Sequence, residues 1–393
     1  MDRTARLLVP VDGPAGVRIA GSAARAGYEV WGVRGARWTL PVFDTLESDA
    51  RDPVELVASA ADGGVDAVHP GDGALARDPV LAREVVAAGL DWAGGRIGEL
   101  EDAADRLLLR RIARDAGIEV VPADRVDDPD AARAWLRRYG APVVLRGKDR
   151  DGRANPHRFD DAEQAIAAIG GRLSGPWLLE RAWPGARIVN VVLLGDGEGD
   201  ALVVGDCEVL VDGLGRVPLA FAPARLSTSE RDALRDAAVR FAERAWPMGV
   251  ASVRFALAED GRFVFQDAFS GLPEGWSAVG EAMGVDLVHF QLAVTEGEEI
   301  GWSDADIRAP RAAVEILVRA AGRGEITVRG PGWIVPPGSI RVAEGDVVAS
   351  GVYAAPTRAA AVVRAVAALH DLTADGAPTN AAEVEAALLE HIG

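Results

Sequence analysis

The feature that most constrains the fold is an alternation of strand-like and helix-like segments along the N-terminal quarter of the chain. Short apolar runs alternate with longer stretches whose apolar residues have helical spacing. Strands that alternate with helices form a parallel sheet with helices on its faces, so the pattern predicts a Rossmann-like domain. The segments are strand 5–11, helix 16–27, strand 28–33, helix 52–64, strand 65–71 and helix 78–90.

The middle of the chain changes to longer strands that are typical of an antiparallel sheet. A small lobe of mixed strands and helices precedes them, so an α+β core is expected after the N-terminal domain. Together these patterns predict an α/β protein. The expected segments are one helix over about 100–116, antiparallel strands over 186–196, 200–213, 250–260 and 261–269, and helices over 229–246, 357–372 and 380–392.

Length, charge and cysteine content narrow the class of protein. The 393 residues predict two or three domains. No apolar run is long enough for a membrane-spanning helix, and the N-terminus lacks a signal-peptide core, so a cytoplasmic protein is expected. The single cysteine, Cys207, excludes an internal disulfide. A formal charge of −18 argues against nucleic-acid binding.

Several motifs occur in the same order as in one known family. HPGDG at 69–73 has Asp72 where that family usually has an aromatic residue. AGIEVVP, APVVLRG, GDCEV, the hairpin VRFALAEDGRFVFQDAF, GVDLVHFQLAVTEGEEI and DGAPTN follow it. With these motifs the chain resembles biotin carboxylases, the ATP-grasp subunits of acyl-CoA carboxylases. The resemblance implies a Rossmann-like domain over 1–103, an ATP-grasp domain over 104–308 with a small lobe over about 123–182, and a C-terminal biotin-carboxylase-like domain over 309–393.

The resemblance also implies a set of nucleotide-binding positions. Arg106 and Arg146 stand where the family has lysines that contact phosphate, and each keeps the positive charge. Glu180 matches the acidic residue that meets the adenine amino group, and Arg181 follows it where lysine is usual. The alternative is that the arginines form ordinary salt bridges and that Glu180 pairs with Arg181 or Arg187.

The metal and flap positions depart from the family. Its hairpin presents a glutamate on each strand, but this chain has Arg254 and Asp267 there, and Phe269 replaces a nearby asparagine. A guanidinium offers no lone pair to a metal ion, so Mg²⁺ binding is not expected, and Arg254 and Asp267 are predicted to pair across the hairpin. The glycine-rich flap is reduced to two glycines in 147–153, which favours a polar turn.

The positions for bicarbonate and biotin are the most altered. The family's anion-binding arginine is Gly271, and the loop that carries the general base reads Pro273-Glu274-Gly275. Glu274 lies one residue before the position of that base. A histidine and a lysine that the family directs to the nucleotide are Gly213 and Gly215.

These losses predict a non-catalytic protein that retains the fold. The resemblance implies partners among biotin carboxylase, biotin carrier and carboxyltransferase subunits, or a homodimer. The remaining residues are compatible with weak ATP or ADP binding. The alternative is an ATP-grasp carboxylate ligase with altered chemistry, which would use Arg106, Arg146, Glu180 and Asp267. An active biotin carboxylase ranks below both.

Overall fold

A computed structural model gives the architecture. It describes residues 4–34, 37–49, 52–149, 154–171, 173–183, 185–197, 200–212, 216–245, 247–298 and 311–392. Within these residues the strands form four sheets of five, four, seven and three strands.

The N-terminal sheet has five parallel strands in the order β3-β2-β1-β4-β5, which confirms the parallel sheet predicted from the alternation. Asp52 and Asp78 cap two of its helices, because each carboxylate accepts from two backbone amides of the first turn. The elements are β1 (Arg6–Leu8), α1 (Pro14–Arg25), β2 (Glu29–Val33), β3 (Asp44–Leu46), α2 (Pro53–Asp62), β4 (Ala67–Val68), α3 (Pro79–Ala87) and β5 (Asp91–Trp92).

The single helix predicted over 100–116 is wrong, because the structure has two helices there, α4 (Ile97–Ala104) and α5 (Arg106–Asp115). Asp105 separates them with extended backbone angles (φ −98°, ψ 92°). Its Oδ1 accepts from the amides of Leu107 at 2.9 Å and Leu108 at 3.2 Å. A residue that caps the next helix in this way leaves the previous one, so Arg106 becomes the first residue of α5.

The small lobe is an antiparallel sheet in the order β6-β9-β7-β8 with two helices packed on it. It has its own apolar core, in which Trp135, Leu145 and Leu179 are buried. The elements are β6 (Ala123–Val126), α6 (Pro129–Tyr139), β7 (Val143–Asp149), β8 (Ala154–Phe159), α7 (Ala162–Gly171) and β9 (Leu173–Arg181).

The largest sheet has seven strands in the order β14-β13-β10-β11-β12-β15-β18, and all their pairings are antiparallel, which confirms the expected long antiparallel strands. The elements are β10 (Arg187–Asp196), β11 (Ala201–Leu210), β12 (Leu219–Ala222), α8 (Thr228–Ala245), β13 (Met248–Leu257), β14 (Phe263–Ser270), α9 (Trp276–Met283), α10 (Leu287–Thr295), β15 (Ala312–Arg319), β16 (Gly324–Arg329), β17 (Ile340–Val342), β18 (Val347–Ala355), α11 (Arg358–His370), β19 (Thr373–Gly376) and α12 (Ala381–Leu389).

The seven-stranded sheet crosses the border predicted at residue 308. Strand β12 pairs with β15, and Phe221 lies opposite Val314. The sheet therefore continues into the C-terminal segment, and the three predicted domain ranges stay a prediction. No helix in the described ranges has the length and apolar character needed to cross a membrane.

Cys207 is a core residue, as its apolar strand predicted. It lies in β11 and is fully buried. Burial raises the pKa of its thiol, so the group stays protonated and unreactive at neutral pH.

Candidate nucleotide site

Five charged side chains meet between the small lobe and the large sheet, and we call them the arginine–carboxylate cluster: Arg106, Arg110, Arg146, Glu180 and Asp267. Glu180 is 4% exposed and lies at the centre. Its Oε1 is 2.9 Å from Arg106 Nε and 2.6 Å from Arg110 Nη2, and its Oε2 is 2.7 Å from Arg146 Nε. Arg106 also pairs with Asp267 through Nη1.

Four elements bring these groups together. Arg106 and Arg110 are one turn apart on α5, so their side chains leave the same face of the helix. Arg146 lies on β7 and Glu180 on the neighbouring strand β9. Asp267 comes from β14, and Arg106 also donates from Nη2 to the carbonyl oxygen of Gln266 at 3.1 Å. The cluster therefore joins three separate parts of the chain.

The charges in the cluster determine how its carboxylate titrates. Burial alone would raise the pKa of Glu180, but the charges of Arg106, Arg146 and Arg110 outweigh burial and lower that pKa to about 2. Burial lowers the pKa of Arg110 despite the charge of Glu180. The cluster holds three guanidinium groups against two carboxylates.

The structure brings Arg106, Arg146, Glu180 and Asp267 together, as their predicted roles in one site require. Arg181 is not among them, because its Nη1 donates to the carbonyl oxygen of Pro142 at 3.0 Å. The alternative pairing of Glu180 with Arg181 or Arg187 is wrong. Arg187 instead pairs with Glu208 at 2.7 Å, and Glu180 binds the guanidinium groups of α5 and β7.

Sequence reasoning missed Arg110 in the cluster. This residue is 3% exposed although it carries a charge, and its neighbours Leu109 and Ala113 belong to the core. An arginine on the apolar face of an amphipathic helix, one turn after Arg106, was the available signal.

The predicted ion pair between Arg254 and Asp267 is wrong. The two residues are register partners on β13 and β14, but their side chains bind elsewhere. Arg254 donates from Nε to Asn190 Oδ1 at 2.8 Å and lies 2.6 Å from Glu274 Oε2 through Nη2. Asp267 pairs with Arg106 instead. Each group has found an opposite charge outside the hairpin.

The hairpin does not fit a magnesium ion. One of its two metal positions is occupied by Arg254, whose guanidinium cannot bind a metal ion. The other is Asp267, which forms an ion pair with Arg106. Phe269 stands where the family has an asparagine. The guanidinium carbon of Arg77 lies 4.2 Å from the centre of the Phe269 ring. Across the described stretches of chain, no three His, Cys, Asp or Glu residues are arranged to hold a metal.

Glu274 is held rather than free. It pairs with Arg254 at 2.6 Å and with Arg77 at 3.7 Å, and its backbone oxygen accepts from Asn190 Nδ2 at 2.9 Å. Partial desolvation of its carboxyl group would raise the pKa of Glu274, but the charges of Arg254 and Arg77 outweigh that effect and lower the pKa. A carboxylate stabilised in this way is a weak proton acceptor. Gly213, Gly215 and residues 150–153 of the flap lie outside the described residues.

Comparison with known proteins identifies the relatives. The model of the carbamoyl-phosphate synthase L chain ATP-binding domain matches residues 105–302, half of the 393 residues. The alpha3 subunit of a biotin-dependent acyl-coenzyme A carboxylase from Mycobacterium leprae is 26% identical over 63% of this chain and 43% of its own length. The biotin carboxylase of Halalkalibacterium halodurans is 25% identical over 83% of this chain and 78% of its own length.

Solved structures of biotin carboxylase domains are similar to this chain in fold. The biotin carboxylase domain dimer of Hydrogenobacter thermophilus 2-oxoglutarate carboxylase, solved with MgADP, ADP and bicarbonate, has a TM-score of 0.87 at 19% identity, over 99% of this chain and 94% of that one. The biotin carboxylase domain of a single-chain bacterial carboxylase has a TM-score of 0.81 at 25% identity, over 98% and 93%. These comparisons confirm the resemblance to biotin carboxylases and the α/β fold with an ATP-grasp core. The match to the Mycobacterium leprae subunit spans less than half of that relative's length.

Proposed function

This chain belongs to the family of the carbamoyl-phosphate synthase L chain ATP-binding domain, and on that premise we propose that it is a non-catalytic, biotin-carboxylase-like subunit of an acyl-CoA carboxylase. Its role is structural or regulatory: it binds an active carboxylase component instead of carboxylating biotin. Its partner is a biotin carboxylase, a biotin carrier, a carboxyltransferase subunit or a second copy of this chain. The carboxylase subunit of Mycobacterium leprae, to which this chain is similar, supports this class of partner.

The arginine–carboxylate cluster carries the proposal. The groups that the family would direct at a nucleotide and its metal are bound to one another instead. A nucleotide phosphate would have to displace Glu180 and Asp267 from guanidinium groups while both carboxylates repelled it. Breaking a buried ion pair leaves an uncompensated charge at a cost of about 3 to 5 kcal/mol. Weak binding of ATP or ADP without Mg²⁺ is the most that this arrangement favours.

The decisive experiment is a calorimetric titration of the full chain with ATP, with and without Mg²⁺. We expect weak or no binding, and no increase in affinity when Mg²⁺ is added, because Arg254 occupies a metal position. Mg²⁺-dependent ATP binding, or ATP hydrolysis that requires bicarbonate and is stimulated by free biotin, would contradict the proposal.

A pair of matched variants connects this result to the cluster. Glu180→Gln removes one of its two carboxylates and should increase affinity for Mg²⁺-free ATP by about tenfold, since three arginines are released toward the phosphates. Glu208→Gln removes a buried glutamate of β11 that pairs with Arg187, outside the cluster, and should leave ATP affinity unchanged. Equal effects of the two substitutions would show that the cluster does not control access to the nucleotide.

The partner is tested separately in the native host. Affinity purification of the tagged full chain should recover a biotin carboxylase, biotin carrier or carboxyltransferase polypeptide. Recovery of this chain alone, as a monomer, would overturn the partner half of the proposal and leave the nucleotide measurement standing.

A second function, an ATP-grasp carboxylate ligase with altered chemistry, is favoured by one observation. Arg106, Arg146, Glu180 and Asp267 converge in a single cluster, as a nucleotide site would require. This function needs ADP release when the chain receives Mg²⁺, ATP, a carboxylate and an amine. An active biotin carboxylase remains the least supported function, because Glu274 is held by two arginines.

A further inference from the structure

A second site lies at the carboxyl ends of the N-terminal parallel strands. The chain leaves β1 toward β2 on one side, and β4 lies on the other, so the strand order reverses between β1 and β4. In open parallel sheets a ligand crevice lies at this switch point. The loops that follow the two strands touch there: a Cβ on Gly71, which has φ +88°, would lie 2.3 Å from Val11 Cγ2.

A cavity of about 380 Å³ opens at this position. Its walls are the loop after β1, Asp72 after β4, the start of α9, and strands β12, β15 and β18. This volume is within the range of small-molecule sites in proteins. The cavity is distinct from the arginine–carboxylate cluster, since none of the five cluster residues lines it.

The side chains that strand β15 directs into the cavity change from acidic to basic along the strand. Its residues alternate, so Val314, Ile316 and Val318 are fully buried in the core on one face. Glu315, Leu317 and Arg319 lie on the other face and line the cavity. An acidic, an apolar and a basic side chain therefore follow one another along one strand, with about 13 Å between the first and last Cα atoms.

The acidic end of the cavity carries more negative than positive charge. Glu315 is 8% exposed, and Asp72 accepts from Trp276 Nε1 at 3.0 Å. Neither carboxyl group forms an ion pair within 4.0 Å in the part of the chain that the structure describes. Arg18, which donates from Nη2 to Ser350 Oγ at 3.0 Å, is the nearby cation. One guanidinium charge thus faces two carboxyl groups.

The acidic end also holds a hydroxyl group. Ser277, at the start of α9, is 8% exposed and lines the cavity, and its hydroxyl interacts with the carboxyl group of Glu315. Burial nevertheless raises the pKa of both Asp72 and Glu315. Two carboxyl groups beside a single guanidinium indicate a place for a hydrogen-bond-donating cation.

At the basic end of the cavity, the positive charge of Arg319 lacks a negative partner within the described part of the chain. Arg319 donates from Nη1 to the carbonyl oxygen of Gly345 at 3.0 Å, but its Nε is buried without a partner and no carboxylate of the described residues lies within 4.0 Å. Burial lowers its pKa. The two other arginines at this end are already paired, Arg37 with Asp12 and Asp346, and Arg216 with Asp212.

We propose that this cavity binds a small linear zwitterion, with its ammonium group at Asp72 and Glu315, its apolar chain over Leu317 and its carboxylate on Arg319. Each end of such a ligand supplies the charge that the wall lacks. An extended amino acid of six carbons, with a hydrogen bond of about 2.8 Å at each end, has a length close to the separation of about 13 Å between the Cα atoms of Glu315 and Arg319, whose side chains both line the cavity. The binding requires no nucleotide, so it does not depend on the proposed function.

The test is calorimetry on the full chain, without nucleotide, with three probes of equal chain length. ε-Aminocaproate carries both charges, hexylamine only the ammonium group and hexanoate only the carboxylate. We expect ε-aminocaproate to bind about tenfold or more tightly than either of the others. Equal binding of the three probes, or no binding of ε-aminocaproate at millimolar concentration, would overturn the proposal. The probes alone decide the matter even if a variant fails to fold.

Two variants locate the ends of the ligand. Glu315→Gln should weaken the binding of ε-aminocaproate and hexylamine by about tenfold and leave that of hexanoate unchanged, whereas Arg319→Met should weaken ε-aminocaproate and hexanoate but not hexylamine. Glu325→Gln, at an exposed position on β16, is the control and should change none of the affinities. If the Glu315 and Arg319 variants affect all probes alike, the ligand is not held at two ends.

Discussion

At the scale of single residues, Glu180 gives the clearest dependence of stability on pH. Its pKa in the folded protein is about 2, below the ordinary value of 4.5. A lowered folded-state pKa means that the carboxylate stabilises the fold above about pH 4.5 and that this contribution is lost as the pH falls toward 2. The ion pairs with three arginines are the physical source of this contribution to stability.

Glu180→Gln should therefore reduce the free energy of unfolding by about 2 to 4 kcal/mol at pH 7, and this difference should shrink below pH 4.5. Urea denaturation at a series of pH values measures it. Asp160→Asn, which breaks an exposed pair with Arg158 in the same lobe, is the control and should change stability by less than about 0.5 kcal/mol. A loss for Glu180→Gln that is the same at all pH values would point to packing rather than charge.

The pKa of Glu99 is shifted in the opposite direction from that of Glu180. It lies on α4, its Oε1 accepts from the amide of Met248 at 3.0 Å, and its Oε2 accepts from the hydroxyl of Ser270. Burial raises the pKa of Glu99 to about 7. A raised carboxyl pKa means that its contribution to stability is fully present below about pH 4.5 and is lost as the pH rises through 7.

We expect Glu99→Gln to stabilise the protein by about 1 to 3 kcal/mol at pH 8, because the amide keeps the shape without a buried charge, and to have little effect at pH 5. Thermal unfolding followed at both pH values gives the comparison. Glu101→Gln on the same helix removes an exposed pair with Arg83 and serves as the control. An equal effect of Glu99→Gln at pH 5 and pH 8 would exclude titration of this carboxyl group.

At the same scale, the sequence indicated four of the five cluster residues but neither Arg110 nor how the residues pair. Arg106, Arg146, Glu180 and Asp267 could be predicted because each stands at a position matched by a motif. Their pairing depends on how the small lobe meets β14, and that is a long-range contact with no local signal. Arg254 illustrates the limit: its register partner was predicted correctly, but its side chain bonds to Asn190 and Glu274.

At the scale of elements, the break between α4 and α5 places the first arginine of the cluster. Apolar periodicity runs through this region and predicted one helix, because Asp105 is compatible with a helix interior as well as with a cap. The spacing of apolar residues does not reveal a change in backbone angles at a single residue such as Asp105. Strand β18 was also not predicted, since it lies in a stretch, 333–355, where the family motifs are missing.

Asp105→Ala should cost about 1 kcal/mol of unfolding free energy, because the amides of Leu107 and Leu108 lose their acceptor. Asp78→Ala removes an equivalent cap from α3, away from the cluster, and should cost a similar amount. Urea denaturation measures both variants. If Asp105→Ala leaves the free energy of unfolding unchanged while Asp78→Ala lowers it, one continuous helix forms over this region.

At the scale of the whole molecule, the apolar cores show which parts should unfold together. One core joins Leu7 of strand β1 and Ile19 of helix α1 to residues of the large sheet, such as Val192. The small lobe has a separate core around Trp135 and Leu179. Elements that share a core open cooperatively, and those with their own core can open alone. The small lobe is therefore the natural unit of partial opening.

Hydrogen exchange measured by mass spectrometry should show this unit. Amides of residues 123–181 should exchange through a lower-energy opening than those of β10 and β13. Glu180→Gln removes the negative charge from the ion pairs that tie β9 to α5, so it should increase exchange in 123–181 by about tenfold or more and leave β10 and β13 unchanged. Asp160→Asn is the control within the lobe. Equal acceleration in every segment would instead mean that the cluster stabilises one cooperative fold, with no separate motion of the lobe.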